Sequence, residues 1–92
     1  MTKSLVETKI LNYENFQGMK KIQLSYYLLE TEREDKILYG VEIVKNRDKE
    51  IEKEIIYNYT DSKEEINEII KIIANNCVTP VSLINILDDL KA

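Results

Sequence analysis

The residues of this chain that could do chemistry are one cysteine and several carboxylates, because histidine is absent. Without histidine, the chain lacks the side chain most used for proton transfer near neutral pH and the commonest nitrogen ligand of zinc. Cys77 is the only cysteine, so it can form neither an intrachain disulfide nor a thiolate zinc site. Gly18 and Gly40 are isolated and form no phosphate-binding loop. We therefore expect no enzyme activity, no catalytic residues, no cofactor and no metal site.

Cys77 allows two interpretations. At the N-terminus of the following helix, its thiol would have a lowered pKa and would be reactive. Free cysteine is, however, among the residue types most often buried, where it behaves as a small apolar side chain. We favour the structural role, which rapid modification of Cys77 in the folded protein would contradict.

Two glutamates, Glu30 and Glu42, each interrupt an apolar strand-like run. Opposite a lysine or tyrosine on a neighbouring strand, they would make ordinary stabilising pairs. Lining one shared cleft, they could instead bind a cation or an amine. We favour the ordinary role. The alternating acids of residues 48–54 lack the glycine of a calcium-binding loop and predict a solvated strand face.

The elements that position these residues are arranged around the apolar run from Ile22 to Glu30. Alternation predicts a central strand over Lys21–Thr31, followed by strands over Ile37–Lys45 and about Ile51–Tyr59. Their short, polar connections favour antiparallel pairing, because parallel strands need long crossovers. The core face of the central strand is predicted to consist of Ile22, Leu24, Tyr26 and Leu28.

Residues 1–20 fit two patterns. The alternation over Leu5–Tyr13 is typical of an edge strand, whereas the spacing of Val6, Ile10 and Tyr13 also fits a helix. The β-branched residues favour the strand.

Two helices are predicted after the strands. The first follows the N-cap candidates of residues 60–62 and ends at Asn75-Asn76, and the second starts at Thr79-Pro80. Their apolar stripes are Ile66, Ile69, Ile70 and Ile73 in the first and Leu83, Ile84, Leu87 and Leu90 in the second.

These elements predict an α+β fold: an antiparallel meander sheet of three to four strands, followed by two helices packed on one face. A length of 92 residues suits one domain over residues 1–92, with residues 1–20 as an extra edge strand. The chain has no apolar leader and no apolar run of membrane-spanning length, so we expect a cytoplasmic protein without membrane contact. The net charge of −4 and the scattered basic residues argue against nucleic acid as a partner.

The second sheet face is the predicted site of function. With the helices on one side, apolar side chains on the other side should stay partly exposed, which usually indicates a partner. The predicted interface residues are Tyr27, Leu29, Leu38, Val44 and Ile56. We expect a non-catalytic protein-interaction or regulatory module that associates with a protein partner or with itself as a homodimer.

Two alternatives remain open from the sequence. Residues 1–20 could fold over the second face and complete the core. Alternatively, the chain could bind an unidentified small molecule in a pocket between sheet and helices, lined by Tyr26, Tyr39 or Tyr57.

Several short segments resemble a family of uncharacterised bacterial proteins, mostly from Firmicutes, known only as a domain of unknown function. The segments are Tyr26–Glu30, Tyr39–Ile43, Val78–Val81 with Leu83, and Asp88–Leu90. The resemblance covers most of the chain from about residue 20 onward. It implies a bacterial cytosolic origin and carries no known activity or site residue.

Overall fold

The computed structural model describes residues 1–91 as four strands followed by two helices. The elements are β1 (Thr2–Asn15), β2 (Gly18–Arg33), β3 (Lys36–Arg47), β4 (Glu50–Thr60), α1 (Lys63–Asn75), a 3₁₀ turn (Pro80–Ser82) and α2 (Leu83–Lys91). The strands form one sheet in the order β1-β2-β3-β4, and every neighbouring pair is antiparallel. The predicted α+β meander with two following helices is confirmed, and the sheet has four strands.

The N-terminal stretch forms the edge strand β1. Its pairing with β2 runs from Thr2 opposite Glu30 to Asn15 opposite Gly18, so the helical alternative is wrong. The register shifts between Leu5 and Glu7. Because β1 lies beside β2 in the sheet, residues 1–20 extend the sheet and do not cover its second face.

The core lies between one sheet face and the helices. The predicted core residues of β2 are confirmed, with Leu24 and Tyr26 fully buried and Ile22 packed against the cluster. Burying apolar side chains from both layers is what holds the helices on the sheet. The fully enclosed members from β3 and the helices are Val41, Ile43, Ile66, Ile73, Ala74 and Leu83.

Helix α1 has clear signals at both ends. At its start, the backbone N–H of Glu65 donates to the Ser62 hydroxyl at 3.1 Å, an N-cap within the predicted set. At its end, Cys77 adopts a φ of 50°, and the Val78 N–H bonds to the Ile73 carbonyl at 2.9 Å. Cys77 therefore occupies the left-handed position that glycine or asparagine usually takes, one residue beyond the predicted asparagine pair.

Helix α2 differs in part from its predicted stripe. Leu83 and Leu87 are buried as expected, but Ile84 is 50% exposed and Leu90 is 43% exposed. Ile86 packs against the core instead. The chain enters the helix through the 3₁₀ turn, which fixes the orientation of its first residue. The side of the helix that faces the sheet is therefore formed by Leu83, Ile86 and Leu87.

Gly40 marks an irregular point in the pairing of β3 with β4. Tyr39 lies opposite Thr60 and Val41 lies opposite Ile56, so extra residues of β4 face Gly40. Asn58, within this bulge, has a φ of 51°. A Cβ atom on Gly40 would overlap the Ile56 carbonyl oxygen. The prediction that this glycine marks a bulge or a close approach is confirmed, and the approaching group is β4 backbone.

Neither helix within residues 1–91 has the length and apolar character needed to span a membrane.

Candidate interaction face

The open face is the side of the sheet that points away from the helices. Its members follow from the register, because side chains alternate between faces along each strand. They are Lys3, Leu5, Thr8 and Ile10 on β1; Ser25, Tyr27, Leu29 and Thr31 on β2; Leu38, Gly40, Glu42 and Val44 on β3; and Ile51, Lys53 and Ile55 on β4.

Four of the five predicted interface residues lie on the open face. Tyr27, Leu38 and Val44 are partly buried there, and Leu29 is almost fully enclosed at 1% exposure. Leu29 lies opposite Gly40, at the point where the β4 backbone crowds the same side. Leu29 is therefore a packing residue that offers little surface for contact.

The assignment of Ile56 to this face is wrong. Ile56 lies opposite Val41 and packs against the helix-side core. Its neighbour Ile55, opposite Glu42, takes the place on the open face. The sequence placed Ile55 with Tyr59 on one face by simple alternation. The bulge around Asn58 breaks that alternation, so Ile56 and Tyr59 both pack toward the helices.

The structure adds exposed apolar residues that sequence reasoning missed. Leu5 is 57% exposed, Ile10 is 58% exposed and Ile51 is 65% exposed. All three lie on the outer strands of the open face. Alternation along β1 and β4 could have identified these residues. The register shift after Leu5 and the bulge of β4, however, change which residues point to the open face partway along each strand.

Glu42 is a buried carboxylate near the middle of the open face. It is 3% exposed and lies between Tyr27 and Ile55 in the register. The Lys3 ammonium is 3.4 Å from its Oε1 atom and 4.9 Å from the centroid of the Tyr27 ring. One lysine thus neutralises the carboxylate and lies over an aromatic face, as ordinary sheet stabilisers do.

The proposed cleft between the two strand glutamates is not formed. Glu30 lies opposite Tyr39, whose ring is in the helix-side core, whereas Glu42 lies on the open face. In an antiparallel pair, the register decides which residues of the two strands share a face. Two residues an even number of positions apart in the sequence can therefore lie on opposite faces. The two carboxylates therefore cannot bind a common cation or amine.

The tyrosines predicted to line a pocket have different positions. The Tyr26 hydroxyl donates to the Val78 carbonyl oxygen at 2.9 Å, and burial raises the pKa of Tyr26, with Cys77 and Glu7 acting in the same direction. Tyr39 is also in the core. Both rings are buried between sheet and helices, and neither lines the surface groove described below.

Tyr57 is 52% exposed and lies outside the core. Cys77 is partly buried and lines a surface groove described below. Within residues 1–91, no three cysteine or carboxylate side chains are arranged to hold a metal ion.

Comparison with known proteins gives a family and no activity. Neither the curated proteins nor the solved structures contain a significant match to this chain. A family model does match, over residues 5–92, and so covers most of β1, the other three strands and both helices. The chain belongs to the family of unknown function DUF6514.

Proposed function

We propose that this protein is a non-catalytic interaction module that forms a homodimer through its open face. The observation that carries the proposal is the exposed apolar surface of Leu5, Ile10 and Ile51 on a sheet face that no helix covers. Exposed apolar side chains on an uncovered sheet face of a small protein support an interface there. The single unpaired cysteine suits the cytoplasm as the place of action.

The size of the open face is compatible with a dimer interface. Strands lie ~4.8 Å apart and rise ~3.4 Å per residue, so four strands over about eight residues present ~500 Å² in projection. Protruding side chains raise the accessible area above the projected one. Stable interfaces bury about 800 Å² on each partner, which this face approaches.

Charge also favours the open face over the helix side for self-association. Among the members of the open face given above, the charged side chains are Lys3, Glu42 and Lys53, and the first two are already paired. Residues 61–91 instead contain six acidic and three basic side chains. Two copies brought together through their helices would repel, whereas two open faces would meet with little charge between them.

The ion pair of Lys3 with the buried Glu42 gives the face a charged centre. Lys3 has a side chain that is still 47% exposed. Covering it with a second copy would remove water from the ion pair and strengthen its attraction. A second copy docked in the wrong orientation would remove water from the ion pair without supplying compensating hydrogen bonds, which costs free energy. The pair would therefore help to select one orientation of the dimer.

Sedimentation equilibrium tests the proposal with a charge placed on the open face. In Val44→Glu, the new carboxylate lies opposite Lys53 in the register, so the fold should tolerate it. A second copy would bury that charge, and we expect dimer dissociation to become at least about tenfold more favourable. The matched control is Val81→Glu, at a residue of the helix side that is 81% exposed.

The wild type and Val81→Glu should both form dimers at micromolar to millimolar concentration. A wild type that stays monomeric throughout would overturn the proposal. An equal effect of the two substitutions would also overturn it, because it would place self-association outside the open face.

A further inference from the structure

The hairpin that joins β1 to β2 projects beyond the rest of the sheet. Strand β3 ends at Arg47, which lies opposite Ile22, whereas pairing of β1 with β2 continues to Asn15 opposite Gly18. Residues 12–21 therefore form a two-stranded arm. A hairpin without further strands or a packed face is only marginally stable by itself.

The arm carries apolar side chains at its end. Phe16, the only phenylalanine of the chain, is 100% exposed, and Met19 is 67% exposed. A hydrogen bond of 2.8 Å from the Gln17 N–H to the Asn15 side-chain oxygen holds the turn that presents the ring. Aromatic side chains supply the largest apolar contact in interfaces, so a fully exposed ring at a turn is suited to binding.

A groove between α1 and α2 has a size and lining suited to such a ring. Its volume is about 500 Å³, and its apolar lining includes Ile72, Cys77, Val78, Ile86 and Leu90. Binding pockets in proteins have volumes of about 300–1,000 Å³ and mostly apolar walls with a few polar groups. Phe16 of the same chain does not fill the groove, because its ring is fully exposed.

The charges of arm and groove are complementary. The arm contains Lys20 and Lys21 against one acid, Glu14. The groove is lined on one side by Asp89, which follows Asp88 in the last turns of α2. Neither aspartate forms an ion pair within residues 1–91, although both lie near the end of the helix where the dipole disfavours acids.

We infer that the groove between α1 and α2 binds the arm of a second copy, with the Phe16 ring among Cys77, Ile86 and Leu90. The arm lysines then lie near the aspartates of α2. Arm and groove are different surfaces, so the contact is heterologous and joins copies into rings or chains. It uses none of the open-face members given above and goes beyond the proposed homodimer.

Disulfide trapping between two different chains tests this inference. One chain carries Gln17→Cys together with Cys77→Ser, which keeps the Phe16 ring, and the other is the wild type with its native Cys77. Gln17 is exposed beside Phe16 in the turn. A bond between position 17 and Cys77 can then form only between copies. The two chains are mixed under a mild oxidant, and the linked peptides are quantified by mass spectrometry. The matched control replaces Gln17→Cys by Asp35→Cys, a thiol in the exposed turn between β2 and β3.

We expect the bond from position 17 to Cys77 to form at least about tenfold faster than the control bond, and charge reversal of the arm by Lys20→Glu and Lys21→Glu to remove most of that excess. Equal rates for arm and control would overturn the inference. The experiment is repeated with Val44→Glu in both chains. Continued trapping there separates the arm contact from the open-face dimer, whereas loss of trapping would assign the contact to that dimer and contradict a separate groove site.

Discussion

The two faces of the sheet are built from the same strands but differ in the burial and polarity of their side chains. On the helix side, the core positions of β2 and β3 are apolar, and side chains such as Leu24, Val41 and Ile43 have no exposure. On the open face, the same strands alternate Tyr27 and Val44 with polar residues and enclose a charged side chain. Burial of the helix-side residues stabilises the fold, whereas the open face retains apolar side chains that the fold leaves exposed.

Each face also contains a buried polar group with a clear partner, the Tyr26 hydroxyl on the helix side and the Glu42 carboxylate on the open face. The Tyr26 hydroxyl is bonded to a backbone carbonyl of the segment after α1, so it ties the sheet to the helices. Glu42 relies on Lys3, a side chain of the outer strand that water still reaches. The first partner is backbone inside the core, whereas the second is a side chain that is still 47% exposed.

The largest difference between the faces should appear when adjacent side chains of β3 are truncated. Ile43→Ala removes a fully buried side chain and should cost about 2–5 kcal/mol in the free energy of unfolding. Val44→Ala, one residue further along on the partly exposed side, should cost below about 1.5 kcal/mol. Urea denaturation at low protein concentration measures both. Equal costs would contradict the division of the two faces.

Substitution of Gly40, against which the β4 backbone packs, should have the next largest effect on the free energy of unfolding. Gly40→Ala forces a methyl group against the Ile56 carbonyl oxygen and should cost about 1–3 kcal/mol. Gly18→Ala is the contrast: it has open space but a φ of 112°, so it should cost about 1 kcal/mol from backbone strain alone. If thermal denaturation shows Gly40→Ala to be harmless, the β4 backbone does not lie where it is described.

The hydrogen bond from the Tyr26 hydroxyl to the Val78 carbonyl should make the free energy of unfolding depend on pH. Tyr26→Phe leaves the Val78 carbonyl without its donor and should cost about 1–3 kcal/mol near neutral pH. Burial raises the pKa of Tyr26 above its ordinary value of 10.0, so the folded protein retains a proton that the unfolded chain loses. The stabilising contribution is therefore complete below pH 10 and declines as the pH rises above it, by up to about 1.4 kcal/mol per pH unit.

Denaturation curves for the wild type and Tyr26→Phe on either side of pH 10 measure this decline. The substituted protein should lose less stability than the wild type over the same interval. Parallel curves for the two proteins would show that the hydroxyl is not enclosed.

The smallest expected effect belongs to the ion pair of the open face. Lys3→Met should cost about 1 kcal/mol, because the lysine is half exposed and water screens the pair. Combining it with Glu42→Gln should recover part of that loss, since the remaining amide tolerates burial better than a carboxylate. A double-mutant cycle measures the coupling. Full additivity would show that the two side chains do not interact in solution.

Sequence patterns predicted the helix side well and the open face only in part. The alternation of β2 and the isoleucine stripe of α1 identified their buried residues correctly, because each signal lies within one element. The face of Ile56 depended on a bulge around Asn58, which a simple alternation cannot reveal. The burial of Glu42 depended on Lys3, a residue of a distant strand, and pairing between distant strands is not encoded in local spacing.

Intermolecular nuclear Overhauser effects in a mixture of isotope-labelled and unlabelled chains test the open-face dimer most directly. This measurement identifies which methyl groups of one copy contact another copy. We predict contacts from Leu5, Val44 and Ile55 on the open face and none from Val81, which lies on the helix side. Contacts confined to the helix side, or no intermolecular contacts at millimolar concentration, would contradict the account of the open face as the surface through which this protein acts.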